Sequence, residues 1–236
     1  MKNYIIHVST DFEREKHIRK EIAKTSFDFT FINEGDRKDL TTEVLARYFM
    51  GMMVVSAATS CAYKHILAYK DMVDNQVDYA IVLEDDIYLY EKFEKTVAKI
   101  LAEIKEQNLS NCLISLEDSN LRYVKGSERE KGRLLYPKKD GRFAGAYLLD
   151  IECAKSIVQE IETHKCQTTI DWLHKTYSDK GLINIYWLHP PIAIQGSLNG
   201  KIPSLIDGRY KRGKSLFRPI SFAVTKFYKK LLYNLR

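Results

Sequence analysis

The sequence predicts an α/β fold: a mixed, mostly parallel sheet flanked by helices. Two observations lead there. Strand-like apolar runs and amphipathic helical stretches alternate along residues 1–110, the pattern of a sheet covered by helices on both faces. Two of those runs, YAIVLEDD and NCLISLEDS, pass straight from buried-type residues into acids. With 45% hydrophobic and 11% aromatic residues the chain has ample material for a core, which excludes global disorder.

The elements follow in order. NYIIHVS is a short apolar run of strand type, and DFEREKHIRKEIAK a charged helix with Ile18 and Ile22 facing inward, capped by Thr10 or Asp11. FDFTFIN alternates with period two, as a half-buried strand does. LTTEVLARYFMGMMVVSAAT is mixed, a short helix and a loop. SCAYKHILAYKDMVDN puts Cys61, His65, Ala68 and Met72 near one helical face. The acid-terminated strand at 79–86 comes next, then the amphipathic helix EKFEKTVAKILAEIKEQN and the second acid-terminated strand. Residues 119–142 are polar and punctuated by glycine, and read as loop. FAGAYLLD and LINIYWLHPPIAIQGS read as strands, IECAKSIVQEIETH and TTIDWLHKTYSDKG as helices. The second half is less regular, so the expectation is one mixed-sheet domain with an elaborated half.

Charge divides the chain at residue 207. Nine basic residues and no acid follow Asp207, leaving 28 basic against 31 acidic residues in 1–207, a net charge of −3. The expected organisation is a domain at 1–207 and a basic tail at 208–236. A basic tail on a mildly acidic body points to an anionic surface, membrane or nucleic acid. In SLFRPISFAVTKFYKKLLYNLR, Ile220, Val224, Phe227, Leu231 and Leu235 recur at helical spacing beside Lys226, Lys229 and Lys230. That is a basic amphipathic helix, which either lies in a membrane interface or docks on the domain itself. Lipid fits the helical apolar spacing better than nucleic acid does, so no nucleic-acid partner is expected. No apolar run reaches the ~18 residues of a membrane span. The N-terminal apolar run is too brief for a signal peptide. The expected location is the cytoplasm, peripheral on the inner face of the cell membrane. None of Cys61, Cys112, Cys153 and Cys166 has the spacing of a zinc knuckle or a redox pair, so all four are expected to be reduced and packed.

The chemistry centres on Glu84, Asp85 and Asp86. In an open α/β sheet ligands bind beyond the carboxyl ends of the strands. Three adjacent carboxylates there repel one another unless a positive charge sits among them. Either a hard divalent cation, Mn2+ or Mg2+, occupies the site, or the acids serve the turn and the dipole of the next helix. Asp86, the last of the three, is the candidate metal ligand. Asp171 opens a helix, as a catalytic base or as a residue satisfied by backbone donors. Glu117 and Asp118, a second pair of carboxylates, end a strand near the loop region. His189, fixed by a double proline, is a second candidate metal ligand or an exposed loop histidine. His65 reads as a satisfied core histidine, and Trp172 and Trp187 as a sugar platform or core.

VLEDDI between a strand and an amphipathic helix resembles the metal motif of glycosyltransferase family 25, which includes bacterial lipooligosaccharide galactosyltransferases. The resemblance extends to IIHVSTDFEREKHI, with Arg14 in the family's arginine position, to SCAYKHILAYKDMVDNQVDYAIVLEDD, to FAGAYLLDIECAKSI and to TTIDWLH. It implies a GT-A-like fold and an inverting transfer from a nucleotide-sugar donor, UDP-galactose by resemblance, to a lipid-linked oligosaccharide acceptor. It also implies donor binding by Arg14, Glu84 and Asp85, with water, ribose or sugar hydroxyls on Glu84 or Asp85, and acceptor hydroxyls on Glu117 and Asp118. SAATSC replaces a Gly-Glu-Ile-Gly-like stretch of the family, and Lys64 stands where serine is common. These departures leave an inactive membrane-associated or nucleic-acid-binding relative as the alternative.

Overall fold

The structure, a computed structural model, describes residues 1–51, 54–119, 122–205 and 218–235. The first half follows the alternation read from the sequence. Strand β1 (Asn3–Ile6) leads into α1 (Phe12–Ile22), whose N-cap Asp11 accepts the Arg14 N–H, and β2 (Phe29–Ile32) follows. Thr41 caps α2 (Thr42–Tyr48) and Ser56 caps α3 (Ala57–Asp74), each accepting a backbone N–H three residues on. Then come β3 (Tyr79–Glu84), β4 (Ile87–Leu89), α4 (Phe93–Glu106) and β5 (Cys112–Ser115).

The second half holds β6 (Leu135–Lys138), β7 (Ala146–Asp150), α5 (Ile151–His164), α6 (Ile170–Asp179) and β8 (Asn184–Leu188). It ends with β9 (Ala193–Gln195), the single turn α7 (Gly196–Asn199) and α8 (Arg218–Leu235). Strand β6 corrects the expectation of loop throughout 119–142. It is an edge strand containing Pro137, a position where the missing N–H costs no ladder bond.

Seven strands form one sheet in the order β2-β1-β3-β7-β5-β8-β6, and β4 pairs with β9 in a small second sheet. Strands β2, β1, β3, β5 and β8 run one way, while β7 and β6 run against them. The mixed sheet with helices on both faces agrees with the expected class. Alternation along the strands divides the core in two. Tyr4, Ile6, Ala80, Val82 and Leu113 pack beneath α3, α5 and α6. Ile5, Ile81, Leu83, Cys112 and Ile114 pack with Ile18 of α1 and Val97, Ile100 and Ile104 of α4. All four cysteines are free.

This strand polarity sets the site. The carboxyl ends of β1, β2, β3, β5 and β8 share one edge of the sheet, which carries His7, Glu84 to Asp86, Glu117 to Asp118, and His189 in turn. Helix α8 reaches that edge, where Lys226 Nζ bonds Asp118 Oδ2. Residues 206–217, the start of the expected tail, lie outside the described residues. Among the described residues no helix is long and apolar enough to cross a membrane.

Ile81 is fully buried between the layers. Ile81→Ala is expected to lower the unfolding free energy by about 2–5 kcal/mol in urea titration, with the far-ultraviolet circular dichroism of the native state unchanged.

Candidate active site

Strand β3 leaves the sheet at Glu84, and its last ladder bonds decide where the acids stand. Ile6 of β1 lies opposite Glu84, and the Asp85 N–H still reaches Ile6 O at 3.1 Å. That register sets His7, the residue after β1, beside Asp85. His7 Nδ1 lies 2.9 Å from Asp85 Oδ2, and Arg14 Nη1 donates to Asp85 Oδ1 at 2.5 Å. Burial pushes the Asp85 carboxyl up, but the His7 hydrogen bond and the Arg14 charge more than offset it and hold it below the usual carboxylate range. Both oxygens of Asp85 are therefore engaged by the protein. Arg14 spends its second nitrogen on Pro203 O at 2.5 Å, tying the segment after α7 across the site.

Among the described residues Glu84 and Asp86 have no such counter-ion. Glu84 Oε2 accepts from Gln195 Nε2 at 3.1 Å, an approach that needs glycine at 145: a Cβ there would lie 2.1 Å from the same nitrogen. Burial, then the Asp85 charge, raises the Glu84 carboxyl to about 7. Asp86 Oδ2 accepts the Ser197 N–H at 3.0 Å and Asp86 O the Gly196 N–H at 2.7 Å, so α7 is pinned to the acids. Asp86 Oδ1 is buried without any hydrogen bond. Burial, then the Glu84 charge, raises Asp86 to about 6. An orphaned carboxylate oxygen beside a second carboxylate that repels it fits a hard cation's all-oxygen donor set.

Two strand spacings away, about 10 Å, Glu117 and Asp118 follow β5. They do not share a role. Glu117 is 0% exposed, its Oε1 accepts the Ala146 N–H at 2.7 Å, and burial holds its carboxyl well above the usual range. Its Oε2, like Asp86 Oδ1, is buried with no hydrogen bond among the described residues. Asp118, 7% exposed, takes the Tyr90 hydroxyl at 3.0 Å and Lys226 on Oδ2. Buried Arg142 braces this loop, donating to Glu117 O at 2.8 Å and Leu188 O at 2.9 Å.

Asp171 sits exposed in the first turn of α6, with Thr169 Oγ1 donating to its Oδ1 at 2.6 Å. Its charge is felt at Glu84, Cys61 and His65, so α6 opens toward the β3 acids. Trp172 is exposed beside it, whereas Trp187 is buried and donates to Asp140 O at 2.5 Å. His189 follows β8, where its ring meets Tyr136 of β6 edge-on at 6.3 Å, and the chain beyond it returns to the β3 side as β9 pairs with β4. His65 is core, as expected, but only half satisfied: Nδ1 bonds the Tyr147 hydroxyl at 2.7 Å and Nε2 bonds nothing.

Sequence reasoning passed over His7, Gln195, Ser197 and Arg142. Only the β1–β3 register could have flagged His7, and nothing local marks a glutamine 111 residues from its partner.

A sequence profile of glycosyltransferase family 25 (LPS biosynthesis protein) matches residues 1–173. The chain belongs to that family. A putative glycosyltransferase of Haemophilus influenzae is 26% identical over 180 residues, 72% of this chain and 61% of that protein. The chain thus spans less than two thirds of that relative. The lacto-N-neotetraose biosynthesis glycosyltransferase LgtE of Neisseria meningitidis serogroup B is 20% identical over 207 residues, 83% of this chain and 74% of the relative. Among solved structures, a glycosyltransferase involved in glycosylation of the major capsid of PBCV-1 aligns over 82% of this chain and 92% of its own, with 8% identity and a TM-score of 0.46.

A carboxyl raised by burial favours folding below its ordinary value, near 4.5, and loses that contribution as pH rises toward about 7. In metal-free enzyme, Glu84→Gln is therefore expected to gain unfolding free energy over the parent at pH 8 and little at pH 5. Equal differences at the two pH values in urea titration would contradict the burial of this charge.

Proposed function

We propose that this family 25 glycosyltransferase is metal-dependent and inverting, and that it transfers a sugar from a nucleotide-sugar donor to a lipid-linked oligosaccharide of the lipooligosaccharide type. Galactose from UDP-galactose is the donor the family resemblance favours. The observation that carries the reading is Asp86 Oδ1, a buried carboxylate oxygen with no hydrogen bond at the carboxyl end of a parallel strand.

The donor lies over the ends of β1, β2 and β3. Asp86 holds Mn2+ or Mg2+, which when bound offsets the charge of the departing nucleoside diphosphate. Arg14, held by Asp85, adds a fixed positive charge on the same side. Glu84, oriented by Gln195, takes donor-sugar hydroxyls. Asp118 and Tyr90 lie two strands across and receive the acceptor. Asp171 accepts the proton of the acceptor hydroxyl as that oxygen attacks the anomeric carbon from the face opposite the diphosphate. One displacement of this kind inverts the anomeric configuration.

Helix α8 brings the enzyme to its acceptor's surface. Val224, Phe227, Tyr228 and Leu231 form an i, i+3, i+4, i+7 stripe that is exposed, Phe227 at 73%, on a helix whose neighbouring residues are basic and never acidic. A stripe of that kind beside lysines suits an anionic bilayer interface.

Three measurements test the reading. Asp86→Ala is expected to abolish sugar transfer while leaving the fold intact by circular dichroism, and undiminished turnover would remove the metal assignment. Asp171→Asn is expected to lower kcat by about 10²–10⁴-fold with donor binding retained; normal transfer would exclude the base role. In vesicle sedimentation with anionic lipid, Phe227→Glu and Leu231→Glu should each weaken binding about tenfold or more. Unchanged partitioning would remove the membrane role of α8.

A further inference from the structure

Glu84 faces a second group of ligands that the transfer reaction leaves unused. Cys61 and His65 are one turn apart on α3 and present Sγ and Nε2 toward it. Each of those atoms stands 3.6 Å from Glu84 Oε1, and all three donors fall within 4.8 Å of one another. Tetrahedral bonds of ~2.0–2.3 Å put neighbouring ligand atoms ~3.3–3.8 Å apart. Two edges of such a site therefore already have the right length.

The surroundings of His65 supply independent support. The ring is 0% exposed and its Nε2 makes no hydrogen bond, an expensive state for a buried polar atom. Its Nδ1 begins a buried chain: Tyr147 OH at 2.7 Å, then Tyr69 OH, then His174 Nε2 at 2.8 Å from Tyr69. When Nδ1–H donates to Tyr147, each hydroxyl passes its hydrogen onward and His174 accepts the last. His65 Nε2 is then a bare lone pair facing Cys61 and Glu84. Tyr147 also stacks on the imidazole, with centroids 5.7 Å apart and planes at 22°. Metal-ligating histidines are oriented in this way, by a hydrogen bond at the other ring nitrogen.

We propose that Cys61, His65 and Glu84 form a binding site for a zinc-class divalent cation, with water in the fourth position. The set of thiolate, imidazole and carboxylate is softer than the oxygen donors at Asp86, so the two sites select different ions. Binding releases the thiol proton to solvent as the metal–sulfur bond forms. One thiolate and one carboxylate then cancel the charge of the cation, which leaves a buried site neutral. Occupancy also draws Glu84 away from the donor, so zinc inhibits transfer; that consequence, unlike the binding, rests on the proposed function.

Cobalt titration of the full-length, metal-free protein tests the site, because Co2+ reports its own ligands. The expected result is a thiolate-to-cobalt charge-transfer absorption that saturates at one equivalent and is displaced by Zn2+. It should vanish in Cys61→Ser, a near-isosteric change that keeps the fold by circular dichroism. Tyr147→Phe should weaken cobalt binding by about 10–100-fold, as loss of an orienting partner does. The band should persist in Asp86→Asn, so a failure of the donor-metal assignment leaves this test intact. No band in the parent protein, or a band that survives Cys61→Ser, would overturn the proposal. Loss of the band with Asp86→Asn would overturn the separation of the two sites.

Discussion

Three consecutive carboxylates leave the sheet at the end of β3, and their mutual repulsion is the constraint on which the surrounding structure depends. Among the described residues only one of them meets a cationic partner. His7 from the end of β1 and Arg14 from α1 converge on Asp85, and Arg14 also carries the chain at Pro203. Among the described residues Glu84 and Asp86 receive neutral donors, the Gln195 amide, the Cys61 thiol and the Ser197 N–H. Burial first, and then the charge of the neighbouring acid, raises both carboxyls. A site that was purely structural would have matched each acid with a cation, or dispensed with the acid.

The same polarity that gathers the acids also separates their tasks. With β7 inserted antiparallel between β3 and β5, the β3 acids and Asp118 stand two strands apart on one edge. Under the proposed function, that spacing separates a donor side from an acceptor side. Asp171 enters from α6, and Lys226 of α8 closes on Asp118. Helix α8 thus touches Asp118 through Lys226 while its apolar stripe of Val224, Phe227, Tyr228 and Leu231 is exposed.

Much of this was legible in the sequence, for reasons that also explain what was not. Apolar runs ending in acids mark strand ends because a buried strand cannot continue through three charges, so β3 and β5 were readable. The edge strand β6 was not, since a short strand with one exposed side and a proline differs little from loop. Strand order was beyond reach, and with it the pairing of β4 with β9 that brings Gln195 to Glu84. Adjacent acids such as Glu117 and Asp118 look alike in sequence, yet one is sealed beneath β7 and the other meets Tyr90. Asp85 illustrates the same limit: its partners come from positions 71 and 78 residues away. The departure SAATSC turns out to be the capped first turn of α3, with Ser56 accepting the Thr59 N–H, so it is absorbed locally. Lys64, the other departure, is buried with its amine on the carbonyls of Ile32 and Glu34 and on Asp36, where it braces the loop after β2.

The central claim is that the unneutralised acids of β3 hold a nucleoside diphosphate through a divalent cation. Calorimetric titration of uridine diphosphate into the enzyme, with and without Mn2+, tests it most directly. The account predicts saturable binding that depends on Mn2+ in the parent enzyme and is lost in Asp86→Asn. Equal affinity with and without the metal, or binding unchanged by that substitution, would contradict it.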